Sequence, residues 1–467
     1  MGSSAQSVLA LRLVSICASA FGFAACGANE TTPDAQNWDL VVVVLDALPA
    51  NALGTYGRIV PGFESVPISP RIDAFSKDAI VFEDAFASAS YTLASTASLF
   101  TGTTPATHGV LGLSSNVLSD SHHTLAEAFQ GAGFATAALS SNPHISEEGA
   151  FDQGFDLFRH YFRDVYDNHA LPKTYVSDAG AWWHHEQGKR RFLYAHALPP
   201  HQPYDPPAPH AGMFGSDAVD RLEGLTPFLT ETAKRTDLHP GLPLIQRMRK
   251  RYDAGVHYAD RVFGQLLDEL GGPDGTGLEN TVVVLVSDHG EGFAEHGRIL
   301  HGNTVYPEMC HVPLLMRLPE EAGTRVEGLV GTRDLAATLA ELFNIAWAPD
   351  LAGSKGTSFL DRALGGEGEV VPVLSRTVGE FPLWSLRTAD FTLIKHKASG
   401  GLELYSRVED SAERNNLAPT DKERTTGLDT LLKSELTSAR EAGRAYTNAS
   451  VPRLTHKDAL EALGYFE

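Results

Sequence analysis

Two uninterrupted apolar runs constrain this chain more than anything else in it. Residues 38–45 read WDLVVVVL and residues 281–286 read TVVVLV. Runs this short, rich in β-branched residues and without alternation, suit strands covered on both faces, as in a largely parallel sheet with helices on each side. Each run stops at an acid, Asp46 in the first case and Ser287-Asp288 in the second. Carboxylates so placed sit at the C-terminal edge of a sheet, where open α/β sheets collect ligands. An Asp that only caps a loop explains either residue taken alone. Helical periodicity over 125–130, 175–187 and 245–270, with extended stretches at 136–139 and 191–198, completes an α/β reading.

The 467 residues, 43% hydrophobic and 20% charged, supply a large core and one or two domains. A net charge of −21 argues against a nucleic-acid surface and against charge-driven binding to anionic membranes. An anionic substrate must then be met locally, by a metal ion or by histidine.

The N-terminus reads as a targeting segment. Arg12 is the single charge before the apolar run LVSICASAFGFAAC, which is too short to span a bilayer as a mature helix and suits a signal peptide. Phe23-Ala24-Ala25-Cys26 resembles a bacterial lipobox with Phe where Leu is usual. The expectation is a lipoprotein signal over residues 1–25 and a polar tether over 26–36. The protein would then be held at the bacterial cell envelope by lipid alone; ordinary secretion is the alternative. Cys17 leaves with the signal and Cys26 carries lipid, so Cys310 stands alone in the mature chain as a buried small hydrophobe, and no disulfide framework exists.

Two stretches carry chemistry. Residues 90–110, SYTLASTASLFTGTTPATHGV, read as a hydroxyl-rich helix start, with Thr92 near free backbone N–H groups where an anionic ester could dock. An ordinary Ser/Thr-capped helix explains the same residues. Asp288-His289, on a Gly-containing turn, offers two good ligands for zinc or manganese, and Glu291, His296 and His301 extend the cluster. So many histidines among glycines fit neither a core nor a solvated face.

The ordered motifs VVVVLDALPANALGTYG, SYTLASTASLFTGTTPATHGV, HALPPHQPYDPP, SDHGEGFAEHG with its following HG, and HVPLLMRLP resemble the sulfatase-like branch of the alkaline phosphatase superfamily, from Trp38 to the C-terminus. The resemblance implies a central mixed sheet flanked by helices, with a smaller C-terminal antiparallel-sheet subdomain. It places a catalytic domain over 37–350 and that subdomain over 351–467. It makes Thr92 the nucleophile, bound to one divalent ion (Zn, Mn or Ca) that Asp46, Asp288 and His289 also hold. His301, twelve residues after His289, matches a general acid or substrate-binding group, and His201 a second substrate-side histidine. Asn142 matches a substrate contact, and His108 a substrate-side position or the turn behind the nucleophile.

The departures from the family pattern are as informative. True sulfatases convert a Cys or Ser to formylglycine in a motif with Pro and Arg, but Ala94 and Thr96 stand at those positions, and Ala47 replaces a second Asp. Formylglycine is therefore not expected. The chain resembles members that keep an unmodified Thr, among them phosphonate monoester hydrolases, nucleotide phosphodiesterases and phosphoethanolamine transferases. Direct attack by the Thr92 oxygen favours a small phosphoester or phosphonate over a sulfate ester, with hydrolysis or transfer as the outcome. A sulfuric ester hydrolase without formylglycine and a non-catalytic binding protein remain the alternatives.

A second ion at Asp253 and His257, four apart on a helix, is disfavoured for want of a third ligand. Tyr56-Gly57 reads as packing near Asp46. Short extended runs after Pro349, VPVLS, WSLRT, FTLIK and LELYS, predict the small sheet, with a charged helix over 428–442 beside it.

Overall fold

Strand β1, Asp39–Leu45, has all seven residues buried. Its alternate side chains feed two separate cores. Val41, Val43 and Leu45 pack with Tyr175, Trp183, Tyr252 and Phe263, whereas Leu40, Val42 and Val44 pack with Phe82, Phe100, Phe129 and Tyr194. Helices Leu171–His185 and Pro243–Gly271 cover the first face; helices Thr92–Thr101, Leu125–Gly131 and Leu335–Leu342 cover the second. A run of valines without alternation thus reports helices on both sides, and each such side chain contributes roughly 1.5–3 kcal/mol of burial.

The computed structural model describes residues 35–111, 117–161, 171–218, 220, 226–273, 275–347, 356–379 and 382–446. The expected signal segment, most of the tether and the expected domain boundary at 350 lie outside these residues. The remaining strands of the main sheet are β2 (Ile80–Phe86), β3 (Ala135–Ser140), β4 (Leu157–His160), β5 (Arg191–Ala197), β6 (Thr281–Val286), β9 (Leu314–Arg317) and β10 (Thr324–Gly331). A two-stranded hairpin, β7 (Gly292–Phe293) with β8 (Ile299–Leu300), lies between β6 and β9 in the chain. The eight strands run in the order β10-β2-β9-β6-β1-β5-β3-β4, and only β9 is antiparallel to its neighbours. β1 sits between β5 and β6 with Val43 opposite Ala195 and Leu285. The C-terminal ends of β1, β5 and β6 therefore form one edge.

The small sheet is a meander of β11 (Val373–Arg376), β12 (Leu383–Arg387), β13 (Phe391–His396) and β14 (Leu402–Ser406), as the four extended runs predict. Helix Lys422–Gly443 lays Leu432 and Leu436 on Leu374, Trp384 and Leu404. It begins before the predicted residue 428 because Asp421 accepts from the Arg424 N–H and caps a first turn that has no apolar periodicity. Arg387 joins the two sheets: its fully buried guanidinium donates to the Val305 carbonyl and to Ser385 Oγ, lies 3.5 Å from Glu413 and stacks 4.4 Å above Phe86. Cys310 is buried in the adjoining core. Among the described residues, no helix is long and apolar enough to cross a membrane.

Candidate active site

Asp46 extends β1 by one residue, its N–H bonded to the Ala197 carbonyl at 3.1 Å. The chain then turns through Ala47, whose φ of 56° is left-handed and strained for a residue with a Cβ. That turn is pinned on both sides: the Ala47 N–H donates to Asp288 Oδ1 at 3.3 Å, and the Tyr252 hydroxyl donates to the Ala47 carbonyl at 2.6 Å. Strand β6 delivers Asp288 and His289 to the same point. Gly290 follows because a Cβ there would lie 2.1 Å from the Glu308 carbonyl. His289 Nδ1–H donates to the Gly290 carbonyl at 2.8 Å, which leaves Nε2 as a lone-pair donor facing the carboxylates.

Helix Thr92–Thr101 completes the cluster. Thr92 occupies its first turn, where N–H groups have no intrahelical partner, and Ser95 Oγ donates to the Asp288 carbonyl at 2.5 Å. Thr92 Oγ1 lies 3.1 Å from His289 Nε2. The same Nε2 is 3.5 Å from Asp46 Oδ1 and from Asp288 Oδ2. Ligand atoms of Asp46, Asp288 and His289 all lie within 4.8 Å of one another. Asp46 Oδ1 and Asp288 Oδ2 are buried with no hydrogen-bond partner among the described residues. Two orphaned carboxylate oxygens and an imidazole with its lone pair turned inward are the donor set a divalent cation needs, so these residues fit the ion.

The electrostatics agree. Burial opposes ionisation of Asp46, yet His201, then His196 and His289, hold it well below the usual carboxylate range. Asp288 is pushed up, first by burial and then by the Asp46 charge. Burial lowers His289, but Asp288 and Asp46 outweigh it and raise it. Two carboxylates sharing one site without a cation behave this way.

A histidine wall closes the other side. His301 Nδ1 is 3.2 Å from Glu291 Oε1, and its ring lies 4.5 Å from that of His289 and 4.8 Å from that of His201. Burial, then the neighbouring His289, pushes His301 down to about 3. Burial drives His201 down to about 4 and raises Glu291 to about 7. The structure thus gathers Asp46, Thr92, Asp288, His289, His201 and His301 in one place.

The other candidates brace the site or lie away from it. Asn142 uses both ends of its amide within the protein, donating from Nδ2 to Asp46 Oδ2 at 2.5 Å and accepting the His144 N–H at 2.7 Å. It orients the Asp46 carboxylate. His108 accepts from the Val110 N–H and bonds Ser98 Oγ at 3.0 Å, pinning the turn that follows the Thr92 helix; neither ring nitrogen is left for a substrate. His296 leaves the cluster to stack on Tyr306 and bond Glu308 and the Glu413 carbonyl. Asp253 is held by Arg58 and Arg249, while His257 meets His210. Tyr56 packs, its hydroxyl on the Phe82 carbonyl. His196, on β5 with Nε2 3.3 Å from Asp46 Oδ2, was not foreseen. Its signal was available: a lone His one residue before the end of a buried strand.

Main-chain bonds tie the small sheet to this site. The Ser90 N–H donates to the Arg376 carbonyl (3.0 Å), Gly302 to Ser90 (2.7 Å) and Val378 to Gly302 (3.0 Å). Gly302 has φ of 81°, and a Cβ on it would press to 3.3 Å of Val378 Cγ1.

Comparison with known proteins accords with this geometry. The chain is 25% identical over 416 residues to an ulvan-active sulfatase of Formosa agariphila, covering 81% of this chain and 76% of that protein. In structure it resembles a 2-O GAG sulfatase (TM-score 0.71, 20% identity, 90% of this chain and 96% of the other). It also resembles the phosphonate monoester hydrolase of Agrobacterium radiobacter (TM-score 0.66, 18% identity, 86% and 96%). The family model described as Sulfatase matches residues 39–345, well over half of the chain. The two-carboxylate, one-histidine site at the edge of a mixed sheet is thus carried by a chain that belongs to the sulfatase family.

Proposed function

We propose that this protein hydrolyses, or transfers from, a small phosphoester or phosphonate by direct attack of the Thr92 oxygen. The observation that carries the reading is Thr92 Oγ1 at 3.1 Å from His289 Nε2, beside the two orphaned carboxylate oxygens. Threonine cannot become formylglycine, so the hydroxyl itself must bond the central atom. A divalent cation held by Asp46, Thr92, Asp288 and His289 would supply positive charge that lowers the hydroxyl pKa and offsets charge developing on the ester. The free N–H groups at the start of helix Thr92–Thr101 hydrogen-bond the non-bridging oxygens.

The Glu291–His301 pair handles the proton. His301 is neutral at rest, pushed down to about 3 by burial, and with Nδ1–H directed at Glu291 its Nε2 carries the lone pair that takes a proton during the reaction. As the bond from Thr92 to phosphorus forms, neutral His301 takes the Thr92 proton, and it gives that proton to the leaving oxygen as the bond to that oxygen breaks. Water or an acceptor alcohol then gives its proton to His301 and attacks phosphorus, and His301 passes the proton to the Thr92 oxygen as that bond breaks. His201 lines the substrate side.

A sulfate ester is the second reading, favoured because the relative from Formosa agariphila is named as a sulfatase. Assaying aryl phosphodiesters, phosphonates, phosphomonoesters and sulfates with Zn, Mn and Ca separates the two. Mass spectrometry of quenched reactions should find phosphate on Thr92, and Thr92→Ala should lose at least about a thousandfold in kcat. Turnover that survives Thr92→Ala refutes the mechanism. Lipid attachment at Cys26 to the cell envelope is part of the proposal, on the strength of the apolar run before it; Cys26→Ala should move the protein from the membrane fraction to the soluble one.

A further inference from the structure

Next to the β7–β8 hairpin, a cleft of about 500 Å3 has Arg58, Arg249 and Lys250 in its wall, and a second of about 400 Å3 shares Arg58 and Arg249. This concentration of cations sits in a chain of net charge −21. Two carboxylates accompany them, and they do different things. Asp253 is buried and grips Arg58 Nη2 at 2.6 Å and Arg249 Nε at 3.0 Å. Glu295 lies 3.9 Å from Arg249 Nη1, beyond hydrogen-bond reach.

Each guanidinium carries five N–H donors in a rigid fork, and Asp253 occupies only part of each. Arg58 Nε is buried with no hydrogen-bond partner among the described residues. Arg249 is held in place by its position over the rings of Phe293 (4.8 Å) and Tyr252 (5.3 Å). Lys250 is exposed on the same wall. An ordinary ion-pair cluster would pin the loop carrying Arg58 to helix Pro243–Gly271 and leave no cavity. Here Asp253 holds the two guanidinium groups and a cavity remains beside them, with Asp253 and Glu295 in its wall next to the three cations.

We propose that this cleft is an oxoanion site distinct from the catalytic centre, taking a sulfate, phosphate or carboxylate group on Arg58 and Arg249, with Lys250 adding charge. The anion is either free in solution or carried on a non-reacting part of the ester. The site does not depend on Thr92 being the nucleophile.

Selenate is a suitable probe, because its anomalous scattering locates it in crystals of the full chain. A peak within hydrogen-bond distance of Arg58 and Arg249 is expected. In solution, calorimetric titration with inorganic sulfate should show a binding event that Arg58→Met weakens about tenfold and Lys250→Met about two- to threefold. Lys250→Met guards against the case where Arg58→Met fails to fold. KM for esters with and without a second anionic group identifies the source of the anion. A rise in Arg58→Met confined to the former puts it on the substrate, and no rise in either makes it a free ion. No selenate in the cleft at concentrations that fill the Thr92 site, or sulfate affinity equal in wild type and both folded variants, overturns the proposal.

Discussion

Replacing Asp288 by Asn tests the metal assignment without reference to any substrate. Carboxylate oxygens of Asp46 and Asp288 offered as ligands lie within 4.8 Å of each other. At an effective dielectric constant of about 20, two unit charges that far apart repel by about 3.5 kcal/mol. Burial and then the Asp46 charge push the Asp288 carboxyl up, the direction such repulsion gives. The amide keeps the oxygen that accepts from the Ala47 and His289 N–H groups and puts a donor where Oδ2 has no partner. In chelator, Asp288→Asn should therefore be more stable than wild type by about 1–3 kcal/mol, seen as a higher Tm of a few degrees. Excess Zn, Mn or Ca should reverse the order. An ion at about a hundred times its Kd adds about 2.7 kcal/mol to the wild type, and the variant has lost a ligand. Thermal unfolding in chelator and in metal gives the four values needed. A variant less stable than wild type in chelator and equally responsive to metal refutes the reasoning.

Three further outcomes follow from the geometry. Glu291→Gln removes the charge that supports the His301 imidazolium, so kcat should fall about 10²- to 10⁴-fold while metal content, measured by elemental analysis, is unchanged. Arg387→Met leaves Glu413 buried and unpaired and should cost about 3–5 kcal/mol in denaturant unfolding, part of which Arg387→Met with Glu413→Gln recovers. Burial lowers the pKa of His296, but the hydrogen bond and charge of Glu308 outweigh it, so the folded value lies above 6.5. The stabilisation from this histidine is then complete below about pH 6.5 and is lost as pH rises through the folded value. The Tm difference between wild type and His296→Gln should shrink over that rise, and a difference that stays constant with pH counts against it.

What could be read from the chain divides along a physical line. Apolar runs and turn residues report local structure, so β1, β6 and the four-stranded meander stood out, as did the acids at the strand ends. The helix over 243–271 was visible from its periodicity alone. Partner choice is not local. Glu291, His296 and His301 look alike within SDHGEGFAEHGRILHG, yet the β7–β8 hairpin keeps Glu291 and His301 at the site and sends His296 to Tyr306. The resemblance left His108 between a substrate-side position and the turn behind the nucleophile, and its bonds to Ser98 and Val110 are those of the turn, while the Asn142 bond to Asp46 joins two residues far apart in the chain. Arg387, one of several arginines in the chain, is distinguished only by the two sheets that meet around it.

The junction at Ser90, Gly302 and Val378 has an evolutionary meaning. Its bonds run from main chain to main chain, except that Ser90 Oγ also donates to the Arg376 carbonyl, and Gly302 is there for the side chain it lacks. The main chain of 376–378 holds the His301 loop against the segment that leads into Thr92 by its position. Inserting or deleting one residue there moves the Val378 donor by about 3.3 Å, and the bond is gone. Lineages of this protein should therefore stay fixed in length at that point.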